Sequence, residues 1–215
     1  MPAPANVKNE PRWTRRKEAR PEEITAAALH LFVERGFANT RLEDVATLAG
    51  VSKGTVYLYF ANKEELFKAV VREVLVARLA EFRGQLEHYQ GGTMDLVRQM
   101  MRAWWEHVGS TPISGIPKLI ISEARNFPEI ARFYIDEVIR PGQETLAALI
   151  ERGIARGEFR QVDPQLTVHL LTAPMLQICL WRNSLEPFSQ QKLDPPALLE
   201  AHLDLLERGL AAPKD

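Results

Sequence analysis

Small, basic and hydroxylated residues are concentrated in one seven-residue stretch of the chain. They are Lys53, Gly54, Thr55, Tyr57 and Tyr59. A lysine ammonium group can reach guanine acceptors, and a threonine offers a hydroxyl to any base and a methyl group to thymine. Val56 and Phe60 are four residues apart and would face inward on a helix. The spacing therefore predicts a short helix whose exposed N-terminal end can enter a DNA major groove.

The residues before this stretch predict a first helix and a tight turn. Thr40 can cap that helix, and Glu43 stands three residues later, which is the spacing of a capping box. Gly50 permits a sharp turn that residues with a Cβ resist. Ser52 is a suitable N-cap for the second helix. Two helices joined by a turn are thus expected over residues 40–60.

Helices are also expected on either side of this pair. Pro21 opens an amphipathic helix, and Asn62 caps a long one over residues 63–83. The sequence ITAAALHLFVERGFANTRLEDVATLAGVSKGTVYLYFANKEELF, within residues 21–67, resembles the N-terminal DNA-binding domain of the TetR family of bacterial transcription regulators. The resemblance covers about the first third of the chain, and VSKGTVYLYFANKEELF is its most specific part.

The resemblance implies a role for each exposed residue, because the matching helix of the family lies in the major groove. The candidates for base-edge contacts are Lys53, Gly54 and Thr55, and those for phosphate contacts are Tyr57, Tyr59, Thr40 and Lys63. The last two are expected at helix N-termini, where backbone N–H groups and the helix dipole favour a phosphate. The implied partner is a double-stranded, palindromic DNA operator bound by a homodimer, and repression is the commoner mode of the family.

The charge of the chain is unevenly distributed. Residues 1–20 carry six Lys/Arg and two Glu, a net charge of +4, whereas the rest carries −5 and the whole chain −1. The basic residues assigned to a DNA-contacting arm are Arg12, Arg15, Arg16, Lys17 and Arg20. Local charge sets the attraction to phosphates. The interpretation is a basic disordered arm next to a DNA-binding domain, and the alternative is a solvated tail.

The chain beyond residue 67 keeps a helical pattern, so an all-α fold is predicted. In it, the long helix of residues 63–83 joins the DNA-binding domain (residues 21–67) to a larger effector-binding and dimerisation domain (residues 68–215). Predicted helix boundaries include Gly84 as a stop for the long helix, Thr93 as a cap, and Arg140-Pro141-Gly142 as a break. Pro174 should bend the apolar helix of residues 163–183.

The last two helices, over residues 163–183 and 194–210, are the candidates for the dimer interface. Their leucines give more apolar surface than one packed face requires: Leu166, Leu170, Leu176, Leu180, Leu199, Leu203 and Leu206. Family members commonly pair their last two helices in a four-helix interface. The alternative is that these helices form only the core of their own domain.

Bulky and soft side chains in the middle of the chain suggest an effector pocket. The candidate lining residues are Met101, Trp104, Trp105, Glu123, Phe127 and Met175. Trp104 and Trp105 are adjacent, about 100° apart on a helix, so both cannot face one core fully. A hydrophobic effector, such as a drug, an aromatic or an acyl compound, would suit this lining. Large apolar residues at helical spacing also fit an ordinary core, and control by a protein partner or constitutive DNA binding remain alternatives.

Several other functions have no support in the sequence. Metal-binding, phosphate-loop and nucleophile motifs are missing, so an enzyme is only a remote alternative and no cofactor or metal is expected. The single cysteine, Cys179, lies in an apolar run and is expected to be buried and inert. No apolar run is long enough for a membrane helix, and the N-terminus lacks a secretory signal, so a cytoplasmic location is expected.

Overall fold

The computed structural model describes residues 20–190 and 192–213, and these form nine successive helices. The first four are α1 (Arg20–Arg35), α2 (Leu42–Leu48), α3 (Lys53–Tyr59) and α4 (Lys63–Val71, Arg72–Val76 and Ala77–His88). The other five are α5 (Thr93–Trp104 and Trp105–Gly109), α6 (Gly115–Glu123), α7 (Pro128–Tyr134, Ile135–Ile139 and Arg140–Ala155), α8 (Pro164–Leu180 and Trp181–Leu185) and α9 (Pro195–Leu210). The predicted all-α fold with an N-terminal helix-turn-helix is confirmed.

Each five-residue piece within these helices is a π-helical turn. Short 3₁₀ turns follow α5 and α8, at Pro112–Ser114 and Glu186–Phe188. The β-pairing of the described residues is limited to one bridge, between Phe159 and Ala211. In the described part of the chain, every helix is too short or too polar to cross a membrane.

The three N-terminal helices, α1–α3, are called the head, and the helices from α5 onward are called the body. The head has no core separate from the body. Its apolar cluster continues through the start of α4 into α6 and the first part of α7. At its centre, Phe37 lies 5.5 Å from Phe32 and 5.6 Å from Phe67, measured between ring centroids. A second cluster joins α5, α7, α8 and α9. The head is therefore held against α6 and α7 by a shared apolar core.

The predicted turn and caps around α3 are confirmed. Gly50 has a positive φ of 66°, a conformation that residues with a Cβ rarely adopt. The Ser52 hydroxyl accepts a hydrogen bond from the Thr55 N–H at 3.1 Å. Asn62 Oδ1 accepts one from the Glu65 N–H at 2.8 Å. Two further N-caps, at the start of α8 and α9, are aspartates: Asp163 and Asp194.

Two predicted threonine caps are wrong, because both side chains have distant partners. Helix α2 begins after Arg41, and no side chain caps it. The Thr40 hydroxyl instead lies 3.2 Å and 2.8 Å from carbonyl oxygens of the α1 end, those of Leu31 and Gly36. Thr93 is fully buried and follows the N-cap Gly92. Its hydroxyl accepts a hydrogen bond from Arg152 Nη1 at 2.6 Å. Both threonine side chains join distant segments, and neither caps a helix.

Two predicted helix boundaries are also wrong. Helix α4 continues through Gly84 to His88, because a glycine lowers helix stability without preventing the helix. Helix α7 continues through Pro141. A π-helical turn, Ile135–Ile139, comes just before that proline. This wider turn loosens the backbone where the missing N–H and the proline ring would strain a regular α-helix.

Candidate DNA-binding surface and effector cavity

Helix α3 exposes an apolar residue at the centre of its outer side. Val56 is fully buried and fixes the inward direction. At 100° per residue, Gly54 and Leu58 both lie about 160° from it, so they form the outermost ridge. Leu58 is 79% exposed, compared with 45% for Tyr57. The sequence interpretation missed Leu58, although counting the helical angle from Val56 would have found it.

Lys53, the first residue of α3, forms an ion pair with Glu43 of α2. Its ammonium nitrogen also lies 5.6 Å from the centre of the Tyr57 ring. Hydrogen bonding to Lys53 lowers the pKa of Glu43, and the same contact raises the pKa of Lys53. Both side chains are about half exposed. Lys53 would therefore have to release the Glu43 carboxylate before it could contact a base or a phosphate.

Replacing Glu43 by glutamine is expected to tighten DNA binding about threefold, because it frees Lys53 and removes a negative charge facing phosphates. Fluorescence anisotropy with a labelled DNA fragment measures this. Asp44→Asn is the matched control, since Asp44 lies on the same helix and pairs with Arg35 instead. If both substitutions raise the DNA affinity by the same factor, the change in net charge accounts for the effect, and the contact with Glu43 does not restrain Lys53.

The two residues predicted to hold phosphates at helix N-termini are engaged inside the protein. Thr40 is 1% exposed, with the hydrogen-bond partners described above. Lys63 Nζ donates to the carbonyl oxygens of Phe37 at 2.6 Å and Ala38 at 3.1 Å. Burial lowers the pKa of Lys63. In this conformation both side chains stabilise the loop between α1 and α2, so neither side chain faces the outer surface of α3.

The same loop contacts the body through two residues that were expected in the effector pocket. Glu123, at the end of α6, accepts a hydrogen bond from the Ala38 N–H at 3.2 Å. The Phe127 ring lies 4.7 Å from the Phe37 ring in an edge-on arrangement. Lys63 Nζ lies over the Phe37 ring, 4.5 Å from its centre. Glu123 and Phe127 therefore join body to head and do not line the cavity.

A cavity of about 420 Å³ lies between α4 and the body, within the range of roughly 300–1,000 Å³ that small-molecule sites occupy. Its apolar lining comes from five helices: Leu75, Leu79 and Phe82 of α4, Met100, Trp104 and Val108 of α5, Pro117 of α6, Tyr134, Val138 and Leu146 of α7, and Met175 and Cys179 of α8. Three exposed ionisable side chains also line it: Arg78, Glu81 and His107. Most of the lining is therefore apolar or aromatic.

Two of the six predicted pocket residues, Trp104 and Met175, line this cavity. Met101 is instead fully buried in the core of the body. Trp105 turns away from the cavity, and its ring lies 5.4 Å from the Arg182 guanidinium. The expectation that two adjacent tryptophans must face different surroundings is thereby met: Trp104 faces the cavity and Trp105 faces Arg182.

The basic arm lies mostly outside the described residues. Arg12, Arg15, Arg16 and Lys17 are outside them, and Arg20 is described only as the first helical residue of α1. The arm therefore stays a prediction from the sequence.

Two family models match the chain. The model described as "Bacterial regulatory proteins, tetR family" matches residues 24–70. The model described as "Tetracyclin repressor-like, C-terminal domain" matches residues 91–194. Together they span the head, the start of α4, and the body up to the beginning of α9.

Similar proteins are known in bacteria. The HTH-type transcriptional regulator YfiR of Bacillus subtilis (strain 168), itself described as uncharacterized, is 28% identical over 190 residues, which are 86% of this chain and 89% of YfiR. The structure of the transcriptional regulator FadR from Bacillus subtilis with stearoyl-CoA has a TM-score of 0.69 at 21% identity and covers 87% of this chain and 98% of FadR. A protein of Saccharomonospora viridis in complex with choline has a TM-score of 0.73 at 18% identity, covering 92% of this chain and 100% of that one.

Proposed function

The chain belongs to the TetR family of bacterial regulatory proteins, and we propose that it is a repressor released from its operator by a small apolar effector. It binds DNA through α3 as a homodimer, and it acts in the cytoplasm, where the operator is. The basic arm of residues 1–20 adds contacts to phosphates. The observation that carries this proposal is that one helix, α4, contributes both to the core shared with the head and to the wall of the cavity.

The geometry of α4 supports coupling between effector and DNA. Near its start, Leu66 and Phe67 are buried against the head. More than two turns later in the same helix, the side chains that line the cavity are those of Leu75, Leu79 and Phe82. A ligand that displaces the second part of the helix also displaces the first part, because both belong to one continuous helix. The spacing between the two α3 helices of a dimer then changes, and a palindromic operator requires a fixed spacing.

Exposed leucines on the last two helices support a homodimer. Leu166 and Leu170 lie one turn apart on α8 and are 65% and 66% exposed. Leu176 of α8 and Leu205 of α9 are also exposed. A second copy of the chain would bury them, since exposed apolar patches of this kind mark interfaces. Three other leucines of the predicted interface belong to the core of their own protomer: Leu199, Leu203 and Leu206.

The cavity lining favours an apolar effector over a strongly charged one. The similar FadR structure holds stearoyl-CoA, and the S. viridis protein holds choline. The same fold thus accepts ligands of different chemistry, and the lining selects among them. Here aromatic and aliphatic side chains dominate, so an aromatic or acyl compound fits best.

The test of the proposed function begins with DNA selection. The purified full chain is incubated with a random DNA library, and bound fragments are sequenced over several rounds. A two-fold symmetric motif is the expected result, and the absence of any enriched motif contradicts specific DNA binding. Hydrophobic compounds are then screened by thermal shift, and those that stabilise the protein are titrated against the DNA complex. Failure of every stabilising compound to release DNA contradicts effector control.

Replacing Leu58 by alanine is expected to weaken binding to the selected fragment about fivefold, because the leucine loses apolar contact with a thymine methyl group in the major groove. Stability should change little, since Leu58 is largely exposed. Anisotropy is measured on the fragment and on copies with deoxyuridine in place of single thymidines. Leu48→Ala is the control, since Leu48 is 51% exposed on α2. If each deoxyuridine substitution lowers the DNA affinity of the parent protein and of Leu58→Ala by the same factor, Leu58 contacts no thymine methyl group.

A further inference from the structure

The inner end of the cavity differs in chemistry from its mouth. Of the residues that line it, Val108, Tyr134 and Cys179 are buried, and the others are half-buried or exposed. The three buried residues come from α5, α7 and α8 respectively. Because they are the most enclosed lining residues, they are called the inner end of the cavity, and the polar side-chain groups among them are one phenol hydroxyl and one thiol. The ionisable residues Arg78, Glu81 and His107 are exposed and surround the mouth.

The Tyr134 hydroxyl is free to bind a ligand. Tyr134 is 8% exposed, and among the residues that the structure describes, its hydroxyl has no hydrogen-bond partner. In the same part of the chain, Trp181 Nε1 is the buried side-chain polar atom that is both unpartnered and sealed from solvent. The Tyr134 oxygen is therefore not sealed, and Tyr134 is one of the residues that line the cavity. A buried phenol without a partner costs free energy unless a ligand or water accepts its proton.

The charges at this end favour a neutral ligand atom. Burial, with a smaller contribution from nearby Cys179, raises the pKa of Tyr134, so the phenol stays protonated and donates. Burial also raises the pKa of Cys179 to about 11, which keeps the thiol neutral. Arg182 influences Cys179, but its guanidinium donates to the Gly109 carbonyl oxygen and pairs with Glu186 at 3.9 Å. An anionic group here would lose hydration and gain no free cation.

We infer that the effector carries a neutral hydrogen-bond acceptor, such as a ketone, ester or ether oxygen, on an apolar body, and that the Tyr134 hydroxyl donates to this acceptor at the inner end of the cavity. The aromatic rings of Phe82 and Trp104 and the thioethers of Met100 and Met175 surround the apolar body. A charged group of the effector would face the mouth. This inference rests on the proposed role of the cavity as the effector site.

The test uses two probes of nearly equal shape, benzophenone and diphenylmethane, which differ by a carbonyl in place of a methylene. Binding to the full-length protein is measured by isothermal titration and by quenching of tryptophan fluorescence. The parent protein is expected to bind benzophenone about fivefold more tightly than diphenylmethane, the usual contribution of one hydrogen bond. Tyr134→Phe keeps the ring and removes the donor, so it should abolish this preference and leave diphenylmethane affinity unchanged.

The control variant is Met175→Leu, which alters the apolar lining and should change the affinity for both probes by the same factor. Thermal melting shows whether each variant remains folded. A preference for benzophenone that survives in Tyr134→Phe overturns the inference, and so does a parent protein that binds neither probe. DNA binding is measured in parallel: a protein that binds the ketone through Tyr134 but selects no DNA contradicts the proposed function alone.

Discussion

Replacing Phe37 by alanine is expected to lower the free energy of unfolding by about 3–5 kcal/mol, the usual cost of emptying a buried phenylalanine site. Phe37 is fully buried, and its ring centroid lies within 5.6 Å of those of Phe32 and Phe67. On its other side it contacts Phe127 of the body. The cavity left by alanine lies between head and body, so both lose packing at once. Denaturant unfolding followed by circular dichroism measures the change at a fixed protein concentration.

The matched control for this substitution is Phe188→Ala. Phe188 is 87% exposed, so its removal should change the free energy of unfolding by less than about 0.5 kcal/mol. Phe127→Ala, alone and combined with Phe37→Ala, gives the coupling between head and body through this one ring pair. Strictly additive effects of the two substitutions would show that the ring contact does not join the two parts energetically.

Features set by neighbouring residues could be predicted from the sequence. Ser52 and Asn62 cap their helices because a short polar side chain reaches a backbone N–H three residues on. Gly50 adopts a positive φ because the turn between α2 and α3 requires it. Each of these contacts closes within three or four residues, so the spacing in the sequence determines it.

Features set by distant partners could not be predicted in the same way. Glu123 bonds to a backbone N–H 85 residues earlier in the chain. The Thr93 hydroxyl binds Arg152, which is 59 residues away. In both cases residue type was compatible with several roles, and packing of the helices selected one. Glu123 does not line the cavity for this reason, since its carboxylate accepts a hydrogen bond from the head loop.

In the candidate sites, too, features set by neighbouring residues were predictable and features set by distant residues were not. The exposed side of α3 follows from the helical repeat, although Leu58 was passed over because it is neither polar nor basic. The cavity needs five helices in their final positions, so the sequence predicts its general chemistry, but of the predicted lining residues only Trp104 and Met175 line it. The unpartnered hydroxyl of Tyr134 could not be predicted, because it depends on the packing of α5, α7 and α8.

Replacing Ala103 by tryptophan is expected to reduce the affinity for benzophenone and diphenylmethane alike by at least about tenfold, because the indole occupies cavity space next to Trp104. Ala103 is exposed at the cavity, so the larger side chain need not disturb the buried core, and DNA affinity should stay within about twofold of the parent. Isothermal titration and DNA anisotropy measure the two quantities.

Ala148→Trp is the control for this substitution, since Ala148 is exposed on α7 and does not line the cavity. It should leave both affinities unchanged. The effector concentration that releases the protein from its operator shows whether the effector acts through the cavity. An Ala103→Trp dimer should stay on its operator at effector concentrations that release the parent protein. If the parent and Ala103→Trp release DNA at the same effector concentration, the effector binds elsewhere on the protein, and the link from the cavity through α4 to the head does not control DNA binding.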